Sequence, residues 1–293
     1  MKSASPEPAM SYRMESAPLN CDQPIGIFDS GIGGLTVVKE VMRQLPNERI
    51  IYLGDTARVP YGTKSDRTIK SFTLQSCLYL LEHDVKMIVI ACNTASAVAL
   101  DFIANMFRIP VIGVITPGSS AAVGRSLKKK IGVIGTQTTV NSEAYPRTIK
   151  KMSLDADVYS HACTLFVPLA EEGWLHHDVT RQISEEYLRA FEGTGIDTLV
   201  MGCTHYPLLS ATIQQAIDRV MGYPVSLIDS GVETAKLARS ILIERKLITT
   251  KTQKPIHKFC VTDLPKNFMK VGERFLGSKM EDVETVNVEI LGF

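Results

Sequence analysis

No run of apolar residues in this sequence reaches the roughly 18 to 20 that a membrane-spanning helix needs. The first stretch, MKSASPEPAMSYRMESAPLNCDQ, lacks the apolar middle of a secretory signal. Its Ser, Pro, Ala and Glu content predicts instead that residues 1–23 form a disordered N-terminal extension. Charge of one sign is lacking too. The 32 Lys and Arg are balanced by 31 Asp and Glu, which leaves no global field to gather nucleic acid or anionic lipid. The short basic run Lys128, Lys129, Lys130 reads as a solvated helix end. Cysteine is sparse, six residues in 293 with no CxxC pair. That excludes a disulfide scaffold and predicts reduced thiols in a cytoplasmic protein. The glycine-rich segment FDSGIGGL has neither the GxGxxG spacing nor a P-loop lysine, so it is a poor dinucleotide or phosphate loop.

What is present is ample material for a core. At 45% hydrophobic and 22% charged residues the composition is that of a globular protein, and the length exceeds one ordinary hydrophobic core, which predicts two domains or one large unit. From Pro24 onward short apolar runs alternate with helical patterns, the signature of parallel sheets covered by helices. Strands are predicted at PIGIFDS, RIIYLGD, MIVIACN, PVIGVI, KIGVIG, DADVYSHA, DTLVMGC, PVSLID and HKFCVT. One predicted helix carries Ile213, Ala216, Ile217, Val220 and Met221 on a single face; another carries Ala235, Ala238, Ile241 and Leu242.

The chain also repeats itself weakly. If Asp29-Ser30 is laid on Gly135-Thr136, Cys92 falls close in phase with Cys203. The expected fold is therefore α/β, two similar doubly wound parallel-sheet domains facing each other across a central cleft. A turn at Pro117-Gly118 separates them, and the last segment returns to complete the first. The expected boundaries are 24–116 plus 228–293 for the first domain and 117–227 for the second.

MIVIACNTAS and LVMGCTHYP each end an apolar strand in a cysteine followed by residues that open a helix. A lone cysteine at a strand end is most often a core residue, but ligands of open α/β sheets bind outside the carboxyl ends of the strands. Facing domains would then put one thiol on each side of a shared cleft. The helix starts Asn93-Thr94-Ala95-Ser96 and Thr204-His205 offer N–H groups and hydroxyls suited to a carboxylate, and the same positive helix end favours a thiolate. From an ordinary thiol value near 8.5, only about 3% is ionised at pH 7, whereas a shift of ~1.5 units raises this to about half. His205, two residues beyond Cys203, is a candidate proton partner.

Two thiols on opposite faces of one carbon suit stereoinversion: one takes the proton and the other returns one, and they exchange roles in the reverse direction. Without an electron sink the carbanion must be stabilised by hydrogen bonds and desolvation. Zinc would want three or four Cys and His ligands, and Cys203 with His205 supplies one local pair. A redox disulfide commonly uses adjacent cysteines, and a cysteine hydrolase leaves the second thiol idle. In FDSGIGGL, Asp29 and Ser30 read as facing the cleft at a strand-to-helix turn, with Asp29 as an N-cap the alternative. Pro60-Tyr61-Gly62 reads as a turn lining the same mouth, or simply as a loop.

Together FDSGIGGLTV, GDTARVPYG, ACNTAS, FVPLAEEG, GCTHYPLL and IDSG resemble the glutamate racemase family, from about Pro24 into the final segment. The resemblance implies a cofactor-independent isomerase that supplies D-glutamate for peptidoglycan. It implies that Cys92 serves the D-enantiomer and Cys203 the L-enantiomer, that Asp29 assists Cys92, and that His205 assists Cys203 with Glu171 as its carboxylate partner. Ser30, Pro60, Tyr61, Gly62, Asn93, Thr94 and Thr204, with Asp29 and His205, match positions that hold the substrate. Thr164 stands where the family generally has proline. The resemblance further raises a homodimer, in one of several family arrangements, and a cell-wall precursor as an activator, since some members with N-terminal extensions respond to one. Beside this reading stand a racemase for aspartate or another amino acid, and a two-domain protein that binds an acidic ligand without chemistry.

Overall fold

The structure, a computed structural model, describes residues 19–263, 268–280 and 282–289. Most of the expected extension, residues 1–18, lies outside the described residues. Its last five residues join the folded body: Asn20 Oδ1 accepts from the N–H groups of Asp22 and Gln23, and the Cys21 carbonyl accepts from the buried Lys86 Nζ at 2.7 Å.

Strands β1 (Ile25–Asp29), β2 (Ile50–Gly54), β3 (Met87–Ile90), β4 (Val111–Gly113), β5 (Lys130–Gly135), β6 (Asp157–Ala162), β7 (Thr198–Gly202), β8 (Ser226–Asp229) and β9 (Lys258–Val261) coincide with the nine expected runs. A tenth, β10 (Val283–Thr285), was not legible in the sequence. Its VET segment is short and polar, and it becomes a strand by pairing along β9. One sheet has the order β10-β9-β2-β1-β3-β4 and the other β6-β5-β7-β8, with every neighbouring pair parallel. β1, β2, β3 and β7 are buried at every residue. That is why they read as unbroken apolar runs, both faces of a parallel sheet being covered. The edge strands β6, β8 and β10 are exposed or partly exposed at most of their residues.

The helices are α1 (Leu35–Gln44), α2 (Asp66–Leu81), α3 (Asn93–Ala104), α4 (Ile115–Arg125), α5 (Gln137–Asn141), α6 (Ala144–Met152), α7 (Phe166–Glu172), α8 (Asp178–Leu188), α9 (Ser210–Met221), α10 (Ser230–Glu244) and α11 (Phe268–Leu276). Strand alternation sorts the first sheet's side chains. Ile25, Ile27, Tyr52 and Val89 join a core with α1, α10 and α11, whereas Phe28, Leu53, Ile88 and Ile90 join another with α2 and α3. On the second sheet Leu199 and Met201 pack toward α7, α8 and α9, and Val133 and Val200 toward α4 and α6. The expected helical faces are there too: Ile213, Ala216 and Ile217 of α9 and Ala235, Ala238 and Leu242 of α10 are buried.

The internal repeat has a topological counterpart. β2-β1-β3-β4 and β6-β5-β7-β8 are the same order with four added to each number. Asp29 thus ends β1 where Gly135 ends β5, and Cys92 follows β3 as Cys203 follows β7. Two expectations fail. Pro117-Gly118 is no turn but lies inside α4, where a proline in the first turn has no intrahelical N–H bond to lose. Lys128 to Lys130 is no helix end either: the Lys128 N–H is held by Asp197, Lys129 adopts a φ of +56°, and Lys130 starts β5.

Candidate active site

The carboxyl ends of the two sheets meet. Thr36 Oγ1 donates to the Thr204 carbonyl at 2.9 Å, Thr138 Oγ1 to the Gly62 carbonyl at 2.7 Å, and Asn93 Nδ2 to the Tyr145 hydroxyl at 2.9 Å. Thr94 Oγ1 lies 3.0 Å from Thr136 Oγ1 and 3.3 Å from Thr139 Oγ1. Each pair joins a loop or helix that follows a strand of one sheet to a loop or helix of the other unit. At Gly33 the approach is closest, since a Cβ there would stand 2.2 Å from Thr204 Oγ1 and 2.5 Å from His205 Nδ1. The loop after β1 needs glycine because it lies directly on the Cys203 loop.

Both thiols open into this seam, each 6% exposed. Cys92 is the N-cap of α3; its Sγ accepts from the Ala95 N–H at 3.4 Å and donates to Ser30 Oγ at 3.4 Å. Burial pushes the thiol up to about 12, and the negative charges of Asp29 and Cys203 add to this, against the lowering bonds from Ser30 and Ala95. The thiols therefore sense one another, and a thiolate on one disfavours a thiolate on the other. Asp29 is 1% exposed; its Oδ2 accepts the Gly31 N–H at 2.9 Å, and its Oδ1 has no partner. Burial raises its carboxyl above the ordinary range, opposed by the charge of His205 and the N–H groups of Gly31 and Gly34. It does not cap α1, which begins at Leu35 with Gly34 at the N-cap position.

Cys203 has a different neighbourhood. Its Sγ is 3.8 Å from His205 Nδ1, and His205 Nε2 meets Glu171 Oε1 at 2.9 Å. Burial alone lowers the imidazole, but Cys203 and then Glu171 outweigh it and hold His205 up at about 10. An imidazolium thus sits between the Cys203 sulfur and the Glu171 carboxylate. Of the adjacent pair Glu171 and Glu172, it is Glu171 that reaches the ring.

Asp29, Ser30, Cys92, Asn93, Thr94, Cys203, Thr204, His205 and Glu171 converge on the seam. Asn93 Oδ1, like Asp29 Oδ1, is buried without a partner. Pro60 and Tyr61 fit less well. Pro60 is exposed, and the Tyr61 phenol donates to Asp55 Oδ2 and packs on Phe28 and Phe72. What this turn presents to the seam is its backbone, at Gly62. Nor is the whole helix start free for a ligand: Ser96 Oγ donates to the Ile90 carbonyl at 2.8 Å, and the Ala95 N–H is taken by Cys92. Thr136 and Thr139 were missed, although they follow β5 as Asn93 and Thr94 follow β3, and the same strand-end rule finds them. Tyr145 of α6, which accepts from Asn93, carries no local signal, and neither do Arg274 and Phe275 of α11, which lie against Glu171 and His205.

Comparison with known proteins agrees with this architecture. Residues 25–238 match the family described as Asp/Glu/Hydantoin racemase. The glutamate racemase of Geobacter metallireducens is 47% identical over 265 residues, 90% of this chain and 97% of its own. The crystal structure of the Francisella tularensis glutamate racemase in complex with D-glutamate superposes with a TM-score of 0.85 at 45% identity, covering 92% of this chain and 98% of that one. The Escherichia coli glutamate racemase, solved with L-glutamate and the activator UDP-MurNAc-Ala, has a TM-score of 0.71 at 27% identity, covering 90% and 98%.

Proposed function

Since the chain belongs to the Asp/Glu/Hydantoin racemase family, we propose that it interconverts L- and D-glutamate by passing the α-proton between two thiols. The observation that carries this is the pair of cysteines at equivalent strand ends of two facing sheets, with different helpers: Asp29 and Ser30 beside Cys92, and His205 with Glu171 beside Cys203.

In the L-to-D direction Cys203, as thiolate, removes the α-hydrogen from one face, with the His205 imidazolium as its charge partner. The Cys92 thiol, kept protonated by burial and by Asp29, returns a proton to the other face. Mutual repulsion keeps one sulfur protonated while the other is charged, which is the state a one-base, one-acid inversion needs. Asp29 Oδ1 and Asn93 Oδ1, acceptors without donors, suit the substrate ammonium, and the N-terminus of α3 with Thr94 and Thr204 suits its carboxylates. Developing negative charge at Cα is then stabilised in a site from which the thiols' 6% exposure already excludes most water. Because the thiols are buried, glutamate enters by separation of the two sheet units, taken as domains 24–116 plus 228–293 and 117–227, followed by closure.

D-glutamate made in the cytoplasm for peptidoglycan is the physiological output on this reading, and UDP-MurNAc-Ala is the activator to test. Proton NMR of the enzyme with each glutamate enantiomer in D₂O decides the main claim. Loss of the α-proton signal with convergence to a racemate supports it. An intact α-proton in both samples despite bound glutamate supports the binding-protein alternative, and no binding directs the assay to aspartate.

A further inference from the structure

Helix α11 lies between β9 and β10 of the first sheet and packs against α1. Two consecutive side chains of α11 leave that unit and reach the Glu171–His205 pair of the other. Arg274 Nη1 donates to the Glu171 carbonyl at 2.9 Å and the Ala170 carbonyl at 3.4 Å. These belong to the last turn of α7, where helix carbonyls lack intrahelical partners; the Ala170 carbonyl also accepts the Gly173 N–H at 3.1 Å, and a guanidinium there meets the negative end of the helix dipole. Gly173, at φ +79°, leaves the room: a Cβ on it would stand 2.5 Å from Arg274 Cζ. Phe275 is 1% exposed and sets its ring at 5.2 Å and 81° to the His205 imidazole. The Glu171 side chain is itself 46% exposed, so its carboxylate stays on His205 only if the helix end that carries it is held.

We infer that Arg274 and Phe275 are positioning residues for the Cys203 acid/base group: α11 fixes the end of α7 that presents Glu171 and shields His205 from water. The C-terminal segment of one sheet unit thereby sets the proton-transfer geometry on the other unit's thiol. The inference rests on the two-thiol reading above. The charged and titratable groups around His205 are Cys203 on its own loop, Glu171 from α7, Asp29 from β1 and Arg274 from α11. Of these, Glu171 is the one whose place depends on α11.

The test uses the full chain with Arg274→Gln, Arg274→Lys and Phe275→Leu, reading the His205 imidazole titration by NMR and kcat and KM in both directions. Arg274→Gln is expected to lower the His205 midpoint by about a unit or more and kcat by about tenfold with little change in KM. Arg274→Lys, which keeps a cation on the α7 carbonyls, restores most of both. Phe275→Leu keeps apolar cover but loses the ring, and shifts the alkaline side of the pH profile of kcat. Because the two enantiomers are equally stable, kcat/KM must fall equally in both directions for every variant, which checks the kinetics internally. Variants that melt earlier but leave the His205 titration and the kcat of the folded protein unchanged overturn the inference. The two readings separate cleanly: a wild-type protein that leaves glutamate unracemised, yet shows the His205 shift in Arg274→Gln, removes the functional reading and leaves the positioning role standing.

Discussion

One methyl group at position 33 tests whether the two loops touch as closely as the geometry says. In Gly33→Ala the new Cβ would lie 2.2 Å from Thr204 Oγ1 and 2.5 Å from both Nδ1 and Cε1 of His205. Relaxed carbon contacts need about 3.5 Å or more, so the imidazole must retreat by about 1 Å. Neither neighbour is free to do so. His205 Nε2 is held by Glu171 at 2.9 Å and its ring is packed on Phe275, while the Thr204 carbonyl is held by Thr36 at 2.9 Å. The strain therefore appears either as lost stability, about 1–3 kcal/mol for an overpacked site, or as a displaced His205. A displacement of about 1 Å at the reacting groups lowers kcat by about 100-fold. The assay is racemisation followed by circular dichroism, paired with thermal unfolding. Gly124→Ala is the control: it is an exposed position in α4 where a Cβ meets nothing within 4 Å. It should leave activity unchanged and raise stability by about 0.5–1 kcal/mol. A Gly33→Ala enzyme with wild-type kcat and an unchanged melting temperature would refute the close approach.

Three further outcomes are expected. Cys203→Ser and Cys92→Ser each lower racemisation by about 10³-fold; Cys203→Ser retains α-hydrogen exchange of D-glutamate in D₂O and Cys92→Ser that of L-glutamate, and identical exchange patterns in the two variants refute the assignment of faces. His205 keeps its proton to about 10 against 6.5 when unfolded, so between those values the folded state binds more protons. The stability this contributes is complete below pH 6.5 and is lost as pH rises through about 10; urea unfolding of wild type and His205→Asn across that window must show the steeper fall in wild type. Lys86 and Glu48 are both buried and 2.6 Å apart, and Lys86 Nζ also donates to the Cys21 and Leu247 carbonyls. Lys86→Met is expected to cost about 3–5 kcal/mol by leaving Glu48 unpaired, and a loss within experimental error by urea denaturation counts against that role.

The sequence by itself determined the parallel sheets, because strands buried on both faces must be written as unbroken apolar runs, and β1, β2, β3 and β7 are. It determined which corners bear thiols and helix starts, since a strand end followed by Cys-Asn-Thr or Cys-Thr-His is local information. It did not determine β10, whose three residues become a strand only against β9, nor the helix through Pro117-Gly118, where the packing of α4 on α6 and α10 overrides a local turn signal. It did not select Tyr145, Arg274 or Phe275, which reach Asn93, Glu171 and His205 from elements more than 40 residues away in the chain. Nor did it show that the Tyr61 phenol turns to Asp55 or that Ser96 is taken by Ile90. A residue type announces what chemistry a side chain can do. Which partner satisfies it is settled by proximity, and in a fold made of two repeated units, proximity across the seam exists only once both sheets have formed and their carboxyl ends have met.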